Sequence, residues 1–195
     1  MEMLGNRRLG VTQQQAWDAL NDPETLRKCI PGCDKFELTG ENQYAVGLAI
    51  KIGPVSAKFS GKVTLSEIEA PHSYKLSFEG QGGVAGFAKG SSAVSLKPVP
   101  QGEEGCELDY TVQAQVGGKI AQMGQRLIDG AAKSTADDFF KRFDAEMQSR
   151  FGPPPEEAPA AAEEKTGAVA GFMQKLGLGR KSAKPDAQAD GSAGE

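Results

Sequence analysis

The chain has 195 residues, of which 38% are hydrophobic, and a net charge of −4 at pH 7. The negative charge argues against nucleic acid as a partner, because such a partner requires an excess of basic side chains. No apolar run is long enough to span a bilayer, and residues 1–7 lack the apolar core of a signal peptide. We therefore expect a cytoplasmic protein, and its three cysteines agree with a reducing compartment.

The first predicted elements are a strand over residues 2–11 and two short helices. Thr12 is a typical helix N-cap, and Gln15 completes a capping box three residues later. Asp22 is expected to cap the second helix, and Pro23 fits the first turn of that helix.

From Asp34 to Val116 the hydrophobic pattern has a period of two, which is typical of strands. One face of the predicted sheet is apolar and the other is wet, as in an antiparallel sheet that is covered on one side. The clearest runs are residues 44–52, 55–65, 74–78 and 106–116. The stretch from Gly80 to Leu96 is predicted to be a further strand. A bulge or bend near Gly82-Gly83 would explain why Phe87 is out of phase with its neighbours.

The last predicted element of this domain is one long helix from Gly117 to Arg150. Its apolar residues recur at steps of three and four, which indicates one apolar stripe. The stripe consists of Ile120, Met123, Leu127, Ala131, Thr135, Phe139, Phe143 and Met147. Strands followed by a helix predict an α+β fold, in which a curved antiparallel sheet of about six to seven strands surrounds the long helix. Small residues on both facing surfaces leave room either for tight packing or for a ligand.

The composition changes after Phe151, where the predicted domain of residues 1–151 ends. Residues 152–162 are rich in Pro, Ala and Glu and predict a flexible linker. Residues 163–184 are predicted to be a short amphipathic segment that binds a membrane surface, and residues 185–195 a disordered tail. Docking into a groove of a protein partner and a tail without a structured role remain alternatives. The residues assigned to membrane binding are Val169, Phe172, Met173, Lys175, Leu176, Arg180 and Lys181.

Residues that usually perform catalysis or bind metals are sparse in this sequence. His72 is the single histidine, so a Ser–His or zinc–His constellation is not expected. Cys29 and Cys33 do not have the spacing of a redox or zinc motif. With Cys106 they could form a three-thiolate site, but buried or idle thiols are the simpler interpretation. We therefore assign no catalytic residue and no metal ligand.

Several stretches, taken in order, resemble the carbon monoxide dehydrogenase G-subunit (CoxG) family. This family belongs to the polyketide-cyclase/START-like (SRPBCC) superfamily, which has the helix-grip fold. The matching stretches are residues 16–23 (AWDALNDP), 29–33 (CIPGC), 53–63 (GPVSAKFSGKV), 86–90 (GFAKG), 115–124 (QVGGKIAQMG), 126–128 (RLI) and 139–140 (FF). The resemblance implies a non-catalytic accessory protein that recruits a molybdenum-containing carbon monoxide dehydrogenase, or a related hydroxylase, to the cytoplasmic membrane. It also implies an apolar cavity under the long helix.

The resemblance, the small residues facing the helix and the tail together suggest a carrier for a hydrophobic molecule. Carbon monoxide oxidation releases electrons for the respiratory chain, so a quinone, menaquinone or ubiquinone, is the expected bound molecule, with no covalent cofactor. The expected cavity lining is Tyr44, Leu48, Phe59, Phe78, Phe87, Ile120, Met123 and Leu127. The expected location is peripheral, on the inner face of the cell membrane. The alternatives are a ligand-free assembly or maturation factor and a small-molecule enzyme of the cyclase or hydrolase type.

Overall fold

The structure, a computed structural model, describes residues 1–100 and 105–152. The elements in chain order are β1 (Glu2–Leu9), α1 (Gln13–Leu20), α2 (Pro23–Cys29), β2 (Cys33–Gly40), β3 (Gln43–Ile52), β4 (Val55–Glu69), β5 (Ser73–Gln81), β6 (Phe87–Pro98), β7 (Cys106–Gly117) and α3 (Gln125–Phe151). None of the helices in this described part could cross a bilayer. Apart from Gly152, the linker predicted over residues 152–162 lies outside the described residues, and so do the predicted membrane-binding segment (163–184) and disordered tail (185–195).

The strands form one antiparallel sheet in the order β1-β7-β6-β5-β4-β3-β2. Strands β2 to β6 each pair with the next strand along the chain, and β7 also pairs with β1. In the described sheet, β1 and β2 are therefore the two edge strands. Two short helices after β1 and a long helix after β7 complete the arrangement. The predicted α+β helix-grip fold is confirmed.

The two short helices begin at the predicted capping residues. The hydroxyl of Thr12 accepts a hydrogen bond from the backbone amide of Gln15, whose side chain accepts one from the amide of Thr12. The carboxylate of Asp22 accepts hydrogen bonds from the amide and the hydroxyl of Thr25. These side chains satisfy amides that have no partner inside the helix, which is why both helices begin there.

The stretch from Gly80 to Leu96 was predicted as one strand, and this prediction is wrong. Strand β5 ends at Gln81, a single 3₁₀ turn covers Gly83–Ala85, and β6 begins at Phe87. The bend expected near Gly82-Gly83 is therefore correctly placed, but it is a full turn that separates two strands. Because the turn resets the alternation, Phe87 need not share a face with the apolar residues before it.

The long helix begins later than predicted. Strand β7 continues to Gly117, and α3 starts only after Gly124. Gly118 and Gly124 have φ angles of +82° and +87°, a left-handed conformation that interrupts a helix. Ile120 and Met123 therefore lie in the connection between β7 and α3 and not on the helix itself. A one-turn 3₁₀ helix, Ala121–Met123, occupies part of this connection.

The buried side of α3 differs from the predicted stripe in its first half. Ile128 is 7% exposed, whereas the predicted residue Leu127 is 48% exposed. Thr135, another predicted stripe residue, is exposed as well. In the second half the prediction is correct, because Phe143 and Met147 are buried. The predicted stripe applies the helical period to the connection between β7 and α3, which is not an α-helix. Its first residues therefore do not indicate which side of α3 is buried.

Buried apolar residues form two main clusters against α3. The first, which we call the helix-end cluster, joins α1 and the second half of α3 to the sheet and includes Leu9, Trp17, Tyr74, Leu96, Leu108, Phe140, Phe143 and Met147. The second, the loop-end cluster, lies where α3 begins and contains Phe59, Ala85, Ile120 and Ile128. Bulky side chains thus fill the space between helix and sheet at both ends of α3.

Candidate ligand-binding site

Between these two clusters, α3 presents only small apolar side chains to the sheet. Ala131, Ala132 and Ala136 are half-buried, and the sequence has no bulky apolar residue between Ile128 and Phe139. On the facing side of the sheet, Val63, Phe78, Ser92, Val112 and Ala114 are half-buried, and so are Leu76, Val94 and Tyr110, which pack against the helix-end cluster. Because alanine side chains are short, the middle of the interior is less completely filled than its ends.

A pocket of about 360 Å³ lies between β1 and this middle part of α3. Met3 and Tyr110 contribute from the sheet, and Ala132 contributes from the helix. Asp129 and Lys133 also line the pocket, and both are exposed. Because β1 is an edge strand of the described sheet, the pocket lies at the side of the domain. Its volume falls in the range of about 300–1,000 Å³ that is typical of small-molecule sites.

Arg7 joins β1 to α3 beside this pocket. Its guanidinium group donates a hydrogen bond to the carboxylate of Asp137 and lies 5.4 Å from the ring centroid of Phe140. Burial raises the pKa of the Asp144 carboxyl, and the positive charge of Arg7 opposes this effect only in part. Arg7 therefore tethers the edge strand to the helix through charge and through its contact with an aromatic ring.

Two larger grooves lie on the face of the sheet that is turned away from α3, with volumes of about 860 Å³ and about 650 Å³. Polar and charged side chains line most of the larger groove, among them Lys62, Thr64, Glu79, Lys89 and Gln113. A hydrophobic molecule needs walls that enclose it, and both grooves are more open to solvent than the pocket against α3. The smaller pocket against α3 is therefore the better candidate for an apolar ligand.

None of the eight residues predicted to line a cavity belongs to the lining of this pocket. Leu48, Phe59 and Ile120 do come together, because they pack in or against the loop-end cluster. Met123 and Leu127 lie close to them, over the turn between β3 and β4. The structure therefore brings five of the eight residues to one end of the sheet.

The remaining three predicted residues lie apart from that group. Tyr44 packs against Phe36, with ring centroids 5.1 Å apart, and burial raises the pKa of Tyr44. Phe78 is half-buried near the centre of the sheet. Phe87 pairs with Gly117 and lies over it, on the face turned away from α3. The predicted set does not form one lining, and its role in ligand binding stays a prediction.

Sequence reasoning missed Met3, Tyr110 and Ala132. The available signal was the stretch from Gly130 to Ala136, GAAKSTA, in which Lys133 is the one large side chain. A helix that packs against a filled core would carry bulky apolar residues at these positions. Met3 could not be singled out, because β1 has a weak hydrophobic pattern and the sequence does not show that it forms an edge of the sheet.

The three cysteines are free thiols, with Cys29 and Cys106 buried and Cys33 half-buried. Burial raises the pKa of Cys106 to about 11. Within residues 1–100 and 105–152, no group of three His, Cys, Asp or Glu side chains is arranged to bind a metal ion. The three-thiolate alternative therefore has no geometric support, and the interpretation as buried or idle thiols agrees with the structure.

Comparisons with known proteins identify the relatives of the chain. Residues 5–148 match the family described as the G-subunit of carbon monoxide dehydrogenase (CoxG). The crystal structure of a conserved protein from Geobacillus kaustophilus is 38% identical in sequence and has a TM-score of 0.72. The match covers 76% of this chain and 96% of that one. A comparison with curated proteins finds no match.

More distant solved structures share the fold. A START superfamily protein from Mycobacterium smegmatis is 12% identical with a TM-score of 0.59, and the match covers 76% of this chain and 98% of that one. The Zhui aromatase/cyclase from Streptomyces sp. R1128 is 9% identical with a TM-score of 0.55, and the match covers 77% and 94% of the two chains. At these identities the likeness shows the START-like fold alone. Because the family match extends over nearly the whole folded domain, the chain belongs to the carbon monoxide dehydrogenase G-subunit (CoxG) family.

Proposed function

We propose that this protein is a non-catalytic accessory protein that binds a hydrophobic molecule and recruits a molybdenum-containing carbon monoxide dehydrogenase, or a related hydroxylase, to the membrane. The observation that supports ligand binding is the pocket between β1 and the alanine-rich middle of α3. The family description supports the dehydrogenase as the partner. The same description, of a subunit and not of a whole enzyme, supports an accessory role.

We propose a respiratory quinone, menaquinone or ubiquinone, as the bound molecule. Its ring and isoprenoid tail are apolar and would contact Met3, Tyr110 and Ala132. Its ring carbonyl oxygens are hydrogen-bond acceptors, and the Lys133 ammonium group at the edge of the pocket is a donor. A few polar groups at the edge of an apolar pocket fix the orientation of a ligand in this way.

Mass spectrometry of lipid extracted from the purified protein tests this assignment. A quinone in the extract, or saturable uptake of added menaquinone or ubiquinone, is the expected result. An empty protein that takes up neither molecule would exclude the quinone while leaving a docking role for the dehydrogenase.

The membrane part of the proposal depends on residues 163–184. Phe172→Glu combined with Leu176→Glu should release the full-length protein from anionic vesicles, because it replaces two apolar residues of the predicted membrane-binding segment with negative charges. The folded domain should keep its circular dichroism spectrum. Co-sedimentation that is unchanged in this variant would remove the tail as the membrane anchor. Capture of the dehydrogenase by the same variant would show that partner docking does not require the tail.

A further inference from the structure

Three connections meet where α3 begins, and we call their exposed surface the loop-end patch. They are the turn between β3 and β4 with the strand ends beside it (residues 51–55), the connection between β5 and β6 (82–86), and the connection between β7 and α3 with the first turn of the helix (118–127). The backbone amide of Ile120 donates a hydrogen bond to the carbonyl oxygen of Ala85, at 3.0 Å. This bond holds the second and third connections side by side.

The first connection lies against the third. Gly53 lies in the turn between β3 and β4. The side chains of Met123 and Leu127 are the groups nearest to the position that a side chain on Gly53 would occupy. The loop-end cluster lies beneath these connections, and its residues Ile120 and Ile128 are 4% and 7% exposed. The three connections therefore form one surface over a filled interior.

Apolar side chains project from this surface into solvent. Val84 is 84% exposed and Leu127 is 48% exposed. Pro54 is exposed as well, and Met123 is half-buried beside them. Single exposed apolar residues are ordinary, but here each of the three adjoining connections presents one. The interior beneath these side chains is already filled, so the domain offers no space in which they could be buried.

The charge at this end is basic, although the whole chain has a net charge of −4. Residues 43–58, 80–92 and 113–128 contain no Asp or Glu. Within the described residues, the exposed side chains of Lys51, Lys119 and Arg126 form no ion pair. They are therefore available to a negatively charged partner.

Acidic residues lie at the opposite end of β3, where a turn joins it to β2. Leu38 is also apolar and 62% exposed, but it follows Glu37, and the adjoining turn contains Glu41. The neighbouring turn between β4 and β5 follows Glu67 and Glu69. Among the residues that the structure describes, exposed apolar side chains therefore coincide with unpaired basic ones at the loop-end patch, whereas the exposed Leu38 lies beside acidic residues.

We propose that the loop-end patch docks on an anionic lipid surface. Val84 and Leu127 enter the headgroup region, while Lys51, Lys119 and Arg126 face the lipid phosphates. Apolar side chains surrounded by basic ones are the combination that a bilayer with anionic lipids attracts. This inference deepens the proposed membrane role but rests on the folded domain and not on the tail, so the two can fail separately. Docking at this surface would orient the start of α3 toward the membrane.

Tryptophan fluorescence in the full-length protein tests this docking. Val84→Trp places an indole in the loop-end patch, and Leu38→Trp places one at the opposite end of β3 as the matched control. The native Trp17 is 8% exposed in the helix-end cluster, so its signal is a constant background. With vesicles that contain phosphatidylglycerol and lipids brominated on their acyl chains, Val84→Trp should be quenched and shifted to shorter wavelength, and Leu38→Trp should not.

Charge reversal provides a second test of the docking proposal. Lys51→Glu with Lys119→Glu, in the Val84→Trp background, should weaken vesicle-dependent quenching by at least about tenfold, because two attractive charges become repulsive. Vesicles of phosphatidylcholine alone should produce little quenching of Val84→Trp. Equal quenching with neutral and anionic vesicles would contradict the role of the basic residues and overturn the proposal.

Two further outcomes would overturn the inference. If the protein co-sediments with vesicles but Val84→Trp is quenched no more than Leu38→Trp, only the tail binds and the membrane function survives without this docking surface. If the emission of Val84→Trp shifts with protein concentration in the absence of lipid, the patch is an interface between two copies of the chain. Quenching of Val84→Trp that persists when Phe172→Glu and Leu176→Glu are added would support docking by the domain itself.

Discussion

The ring of Tyr110 on β7 lies 5.5 Å from the ring of Phe140 on α3, and this contact marks where the helix closes on the sheet. Toward the end of α3, Phe143 and Met147 are buried, with 0% and 2% of their surface exposed. Toward the start of α3, Tyr110 and Ala132 line the pocket. The change from alanine to phenylalanine along α3 thus separates the open part of the interior from the filled part.

Ala132→Phe should reduce the amount of bound hydrophobic ligand, because the larger ring would occupy the pocket beside Met3 and Tyr110. The fold should persist, since the pocket borders solvent and the new ring can enter it. Mass spectrometry of extracted lipid and titration with added quinone measure the loss.

Ala145→Phe is the matched control for this prediction. Ala145 is an exposed residue of the same helix and does not line the pocket. Its replacement by Phe therefore makes the same change in side chain and in helix propensity away from the pocket. If Ala132→Phe and Ala145→Phe retain as much ligand as the unaltered protein, the ligand does not bind between β1 and α3.

The architecture could be predicted from the sequence because local chemistry determines much of it. Thr12 and Asp22 satisfy the first amides of α1 and α2, and no distant residue is needed for that. The period-two pattern also assigned the strands, except where the 3₁₀ turn Gly83–Ala85 interrupts them. The start of α3 could not be predicted, because the backbone angles at Gly118 and Gly124 depend on how the connection folds against its neighbours.

The candidate site was harder to predict than the fold. A period-two pattern shows that Phe59 and Phe78 share a face of the sheet, but it does not show which part of that face the helix covers with bulky side chains. Nor could it show that Phe87 lies on the other face, because the preceding turn resets the alternation. The pocket depends on which strand is at the edge and on the length of each facing side chain, and both are properties of the assembled domain.

Phe143→Ala should lower the free energy of unfolding by about 3–5 kcal/mol, because Phe143 is 0% exposed and its loss leaves a cavity in the helix-end cluster. Urea denaturation of the full-length protein measures this change. Phe151→Ala removes the same ring from a residue that is 47% exposed on the same helix and should change the free energy by about 0.5 kcal/mol or less. Equal effects of the two substitutions would contradict the packing described here.

Asp22→Ala should destabilise the protein by about 1 kcal/mol at about pH 7, because it removes the cap of α2 and the partner of Arg150. Asp22→Asn should destabilise the protein less than Asp22→Ala, since the asparagine side-chain oxygen can still accept the hydrogen bond from the amide of Thr25. Urea denaturation of the unaltered protein and both variants measures these differences.

The stabilisation by Asp22 should depend on pH. Burial alone would raise the pKa of Asp22, but hydrogen bonds from Thr25 and Glu24 and the charge of Arg150 outweigh this effect and hold the pKa below its ordinary value of 3.8. A lowered pKa in the folded state stabilises the protein fully above the ordinary value, and this stabilisation is lost as the pH falls through the lowered pKa. The difference between the unaltered protein and Asp22→Asn should therefore be constant above about pH 5 and shrink below about pH 4. A difference that grows on acidification would contradict this assignment.

The thiols of Cys29 and Cys106 should resist alkylation in the folded protein. Burial raises the pKa of both, that of Cys106 to about 11, so little of the reactive thiolate is present at about pH 8. Burial also raises the pKa of Cys33, but its side chain is half-exposed and should react first, at a rate that increases with pH. Mass spectrometry after brief labelling should find Cys33 modified, and all three thiols modified in urea. Cys106 belongs to the helix-end cluster. Cys33→Ser should abolish the early reaction, and rapid labelling of Cys106 in that variant would show that this cluster opens far more readily than its packing implies.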